Sequence, residues 1–209
     1  MPVKASRGGR RANGGKGIKE SDIISQRSLI SERERNAKQV DLSLATLKEM
    51  GEEYGAAVGD LLIAELKGHA DTLGFSTGEN ISINNAWFND KIDLAYKEAV
   101  AMGFHPHMGN KTGVQAVMAH EFGHNLTYIA GQNMGIATNT LHSAADRIVN
   151  EARALTKDKG VVIMARKISE YATTTNAEAV AEAVADVYCN GGRAKNASQT
   201  IVHVLKKYL

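Results

Sequence analysis

His120-Glu121-Phe122-Gly123-His124 sets two imidazoles four residues apart, with a carboxylate directly after the first. In an α-helix four residues turn the chain by about 400° and advance it about 6 Å, so both rings leave one face, a turn apart. Two nitrogens at about 2.0–2.1 Å from a single Zn2+ need that arrangement. Glu121 lies about 100° further round the helix, where it reaches a water at the ion without ligating the ion itself. Gly123 carries no side chain and lets another element approach the pair. Composition makes an accidental HExxH roughly a 1–2 % event in a chain of this length, so the motif is informative and its position in a helical segment adds weight.

A catalytic zinc takes three protein ligands and leaves a fourth position open. No histidine follows His124 at the six-residue spacing that some HExxH enzymes use, because position 130 is Ala. The third ligand is therefore expected to be a carboxylate. Residues 176–186, NAEAVAEAVAD, offer Glu178, Glu182 and Asp186 near one helix face. Like charges at that spacing destabilise a helix by a few tenths of a kcal/mol per pair, and a cation or histidine N–H donors reverse the sign. Glu178 and Glu182 fit two roles, a ligand and an acceptor for the far nitrogen of a ligating histidine. Spacing leaves open which carboxylate has which role.

HEFGH followed by ISEYATTTNAEAVAEAVAD resembles the catalytic domain of the anthrax lethal-factor type of gluzincin. It is also similar to the C-terminal metalloprotease-like domain of phage minor head proteins. In those, a Phe-His-Pro element precedes HExGH, and a Tyr-Ala/Gly-x-Thr-Asn stretch precedes Glu-x-x-x-Glu; here Phe104-His105-Pro106 and Tyr171 to Glu182 correspond. The likeness spans about residues 78–209. It implies Glu178 as the third ligand of His120 and His124, Glu182 as the carboxylate behind a ligating histidine, and Tyr171 as a hydroxyl facing the oxyanion. After Glu178 the chain has Ala and Val where the toxin has aromatics, which bears on pocket shape. The implied activity is zinc-dependent peptide hydrolysis, with Glu121 as general base and a polypeptide as substrate. The phage likeness implies an alternative, a virion or minor-head component with an idle zincin fold; a toxin aimed at a host protein is a third.

The elements that must position these residues are mostly helical by pattern. Residues 21–67 read as one or two helices through Leu42, Leu44, Leu47, Tyr54, Leu61, Leu62 and Leu66, with Gly51, Gly55 and Gly59 on one face for a close crossing. NISIN, residues 80–84, alternates and is β-branched, the best strand in the chain; placed ahead of the HExxH helix, it is expected to pair with an extended substrate as an added strand. Residues 91–102 return to a helical pattern, broken by Gly and Pro over 103–110. His105 and His107 flank Pro106 there and read as ordinary loop histidines. Helices are expected from Thr112 to about Ile129, over 138–158, over 177–190 and over 197–208, with a turn at 131–137 and a loop at 171–176. Residues 161–169 suit helix or strand. The fold class is α+β, predominantly helical, zincin-like, with a small strand element packed on the HExxH helix.

Three parts are expected: a basic tail over 1–20, a helical region over 21–75, and a zincin-like domain over 76–209. Residues 1–19 hold six Lys/Arg and no acid, leaving 19 bases against 23 acids, a net charge of −4, for residues 20–209. Such a tail reads first as a solubilising segment, with weak nucleic-acid contact as its functional reading. The single cysteine, Cys189, excludes an intrachain disulfide and a cysteine-rich zinc knuckle. No apolar stretch is long enough to span a membrane, and no apolar segment follows the basic start as in a signal peptide. The expected location is a host cytoplasm or a virion.

Overall fold

A computed structural model describes residues 23–27, 29–57, 60–66, 72–89 and 91–209. The elements run β1 (Ile23–Arg27), α1 (Leu29–Tyr54), β2 (Leu61–Leu66), β3 (Gly74–Ser76), β4 (Ile81–Asn84), α2 (Lys91–Ala101), α3 (Gly113–Asn133), α4 (Thr140–Thr156), α5 (Val161–Arg166), α6 (Asn176–Asn190) and α7 (Asn196–Leu205). Single 3-10 turns cover Tyr171–Thr173 and Gly191–Arg193. The protein is thus α+β and predominantly helical.

Helix α3 carries HExxH and is buried on nearly every side, so it packs as a central helix rather than an amphipathic surface one. Its start is set locally. The Thr112 hydroxyl accepts from Gln115 N, and the Gln115 side chain accepts from Thr112 N, a reciprocal capping box. Around α3 lie α1, α2, α4 and α6, with α6 in the most extensive contact. The α3–α6 crossing is close because one partner is Gly123 and the other is a run of buried alanines at 177, 179, 181, 183 and 185.

The sheet order is β1-β2-β4-β3. β1 and β2 are antiparallel, β2 runs parallel to β4 with Leu61 opposite Ile81 and Ile63 opposite Ile83, and β3 is antiparallel to β4. β4 confirms the strand expected at NISIN, and all four of its residues are buried. Its central place corrects the substrate expectation, because both edges of β4 are already hydrogen-bonded and no added strand fits there. Among the described residues the edge strand beside the HExxH helix is β3.

The helical region expected over 21–75 is also corrected. Residues 29–54 are helical, with a break at Asn36, but 23–27, 61–66 and 74–76 are strands. Leu61-Leu62-Ile63 is a short apolar run that suits helix or strand equally by pattern; the parallel partner β4, some twenty residues later, decides for strand. The division at residue 75 falls inside β3, and the sheet joins strands from both sides of it. Gly55 is not a packing glycine. At φ +64 it ends α1, with Ala56 N donating back to Gly51 O at 3.1 Å, a Schellman stop. Gly59 and the basic tail over 1–20 lie outside the described residues. Helix α3 runs on to Asn133, into the first three residues of the turn expected at 131–137, and 161–166 is helix. No helix among the described residues is long and apolar enough to cross a membrane.

Candidate metal centre

His120 and His124 leave α3 on one face, as the four-residue spacing requires, and meet α6 at its first turn. Thr175 starts α6 by accepting from Glu178 N at 3.1 Å, which places Glu178 three residues inside the helix N-terminus, where the helix dipole favours a carboxylate. Glu178 Oε2 stands 3.1 Å from His120 Nε2 and 3.5 Å from His124 Nε2. The ligand atoms of the three residues lie within 4.8 Å of one another. Bonds of about 2.0–2.1 Å at tetrahedral angles put ligand atoms about 3.3 Å apart, so these spacings fit one small ion.

Hydrogen bonding points to the same place. Among the described residues, five buried side-chain atoms have no hydrogen-bond partner: His105 Nε2, His120 Nε2, Glu121 Oε2, His124 Nδ1 and Glu178 Oε2. All five belong to this cluster. Leaving such a group unsatisfied costs about 1–3 kcal/mol, so His120 Nε2 and Glu178 Oε2, 3.1 Å apart and both unpartnered, argue for a ligand between them. His120 Nε2 and Glu178 Oε2 are near each other but outside hydrogen-bond angles, as two donors to a common ion would be. The site can therefore hold a metal ion through His120, His124 and Glu178.

Glu182, one turn beyond Glu178, faces the other nitrogen of His120. Its Oε1 lies 2.8 Å from His120 Nδ1, and its Oε2 accepts from Ser169 Oγ at 2.8 Å. Asp186, the third carboxylate of the row, turns away from the centre. It accepts from Asn190 Nδ2, from Lys195 N and from Ser198 Oγ, and so ties α6 to α7.

Burial and the histidines set the charges. Burial alone raises both Glu178 and Glu182; the neighbouring histidines outweigh it and lower each to about 2. For His120 burial lowers the pKa, but the two flanking carboxylates prevail and hold it well above the ordinary value of 6.5. Glu121 is 1 % exposed, and burial raises its carboxyl, only partly countered by His120 and His124. A raised carboxyl is suited to holding a proton in transit.

Tyr171 sits in the 3-10 turn before α6. Its ring stacks on His120 at 5.8 Å and it is almost fully buried. Tyr171 therefore packs against the His120 side of the cluster. The strand β3 comes in from the other side: a Cβ at Gly74 would stand 3.2 Å from Glu121 Oε1. Asn125, one residue past the motif, locks that side by donating to Glu79 O and accepting from Ser76 Oγ at 2.6 Å.

Two residues escaped the reading of the sequence. Ser169 carried no signal beyond lying near Tyr171. His105, expected to be an ordinary loop histidine, is 5 % exposed and packs into the centre, with Nδ1 at 2.9 Å from Glu182 Oε1. The signal was available in the Phe104-His105-Pro106 element. His107, two residues on, is exposed, and its Nδ1 accepts from Gly109 N. Cys189 is buried and its thiol is pushed up to about 12, chiefly by that burial, which makes it an inert core residue.

Compared with known proteins, the chain matches no family model, no curated protein and no solved structure. The resemblance to lethal-factor-type gluzincins and phage minor head proteins therefore rests on the motifs themselves.

Proposed function

We propose that the protein is a zinc-dependent peptidase of the gluzincin type. The observation that carries this reading is the convergence of His120 Nε2, His124 Nε2 and Glu178 Oε2 on one point, beside the buried, unpartnered Oε2 of Glu121. Two imidazoles and one carboxylate are a donor set that suits zinc. When bound, zinc supplies Lewis acidity, polarising the scissile carbonyl and acidifying water. The protein's residues do the rest. Glu121 takes the proton of the attacking water and hands it to the leaving amine. Tyr171 presents its hydroxyl to the developing oxyanion. Glu182 fixes the tautomer of His120. An extended polypeptide pairs with the outer edge of β3, an edge strand among the described residues, whose Gly74 lies next to Glu121.

The burial of the cluster favours a second reading. With His120, Glu121, Glu178 and Tyr171 each 5 % exposed or less, little of the centre faces a substrate, which suits an idle zincin fold such as that of a phage-particle component. Elemental analysis of the purified protein beside Glu178→Ala, followed by a peptidase assay, separates the readings. About one zinc per chain, lost in Glu178→Ala, with proteolysis, supports the enzyme. Zinc without proteolysis, in a protein that co-purifies with particles, supports the second reading, and a metal-free wild type after zinc is added back overturns the peptidase.

A further inference from the structure

His105 is no ligand, yet one carboxylate joins it to the ligand set. Its position is built locally. Gly103 at φ +72 ends α2 in a Schellman turn, with Gly103 N donating to Val100 O and Phe104 N to Ala99 O. The chain is then pinned to the Tyr171 turn, where Glu170 N donates to Gly103 O and Tyr171 N to Phe104 O. The ring itself is clamped. It stacks flat on Tyr96 at 4.9 Å and 5°, with Phe104 and Tyr171 against it edge-on. Held so, Nδ1 faces both oxygens of Glu182, at 2.9 and 3.1 Å.

That geometry has a consequence for the metal. The backbone of α6 places the Glu182 stem, but the plane of a carboxylate turns in a broad well. Ser169 Oγ holds only Oε2. His105 Nδ1, lying across both oxygens, sets the plane and so leaves Oε1 directed at His120 Nδ1, 2.8 Å away. The tautomer with hydrogen on Nδ1 then leaves the His120 Nε2 lone pair for the ion.

We propose that His105 is a positioning residue of the metal centre, which holds Glu182 in the plane that presents His120 Nε2 to the ion. The inference rests on the metal-centre reading above. It is tested by zinc affinity, measured by chelator competition on the full chain, for the wild type, His105→Phe and His105→Asn. His105→Phe keeps the stack on Tyr96 and removes the Nδ1 donor; zinc should bind about 10–100-fold more weakly. His105→Asn returns an N–H donor close to the Nδ1 position and should recover most of that loss. The visible absorption of the cobalt-loaded proteins should follow the same order. Melting of the metal-free proteins reports folding. A folded His105→Phe protein that binds zinc as tightly as the wild type overturns the proposal, as does equal weakening in His105→Phe and His105→Asn. If His105→Phe does not fold, His105→Asn is set against His105→Gln, whose amide overreaches Glu182; equal affinities overturn the proposal. A wild type that binds no zinc brings down the metal-centre reading itself, a distinguishable failure.

Discussion

Gly123 faces Ala181 so closely that a Cβ at position 123 would stand 2.8 Å from Ala181 Cα and 3.2 Å from Val184 Cβ. The obstacle is backbone, which cannot swing aside as a side-chain end does. Gly123→Ala must therefore part α3 from α6 at the level of the metal centre. We expect a loss of about 1–3 kcal/mol in urea unfolding, despite the better helix propensity of Ala. Because Glu178 is on α6 and the histidines on α3, metal affinity should fall as well. An unchanged midpoint and unchanged affinity would show that the crossing has slack.

Glu182→Gln tests the carboxylate behind His120. One oxygen would have to serve the donors that two now serve, and the new amide would point N–H groups at His105 or Ser169. Metal affinity should drop about 10–100-fold with the ligand set intact. Calorimetric titration with zinc measures it, and wild-type affinity would remove Glu182 from the centre.

Glu121→Gln keeps size and polarity but cannot take a proton. Metal content should stay at the wild-type value while peptide hydrolysis falls about 10²–10⁴-fold. Equal turnover in the two proteins would exclude Glu121 as the base.

Tyr171→Phe removes one hydroxyl and preserves the ring on His120. Turnover should fall with little change in zinc content, the signature of a group that acts on the transition state. Loss of zinc instead would assign the tyrosine to holding the site together.

The metal-free protein should show a defined pH optimum of stability. Glu178 and Glu182 are lowered in the folded state from 4.5 to about 2, so their contribution is full above pH 4.5 and is lost as pH falls towards 2. His120 is raised above 6.5, so its contribution is full below pH 6.5 and fades as pH rises through the raised value. Glu121, raised by burial, costs stability from pH 4.5 upward and draws the maximum towards the acid end of that window. Thermal melts of chelator-treated protein from pH 3 to pH 9 measure the curve. Zinc displaces the His120 proton, so its binding should release protons and tighten with rising pH; a flat curve would contradict the charge assignments.

The parts of the site that the sequence alone determined are those that depend on helical spacing. His120 and His124 share a face, and Glu178, Glu182 and Asp186 share another, because a four-residue step nearly closes a helical turn. The same regularity makes Glu178 and Glu182 equivalent until α6 is set against α3. The crossing at Gly123 and Ala181 breaks the equivalence, giving Glu178 to the Nε2 atoms and Glu182 to His120 Nδ1. Asp186, on the same row, passes beyond the centre and binds α7 instead. Two other results needed long-range contacts. The strand at Leu61–Leu66 exists because β4 lies alongside it, and His105 is part of the centre because the Gly103 turn carries it onto a helix more than seventy residues later. Local pattern carries propensity and facing; which of several equal faces meets its partner is decided by packing, which is a property of the whole chain.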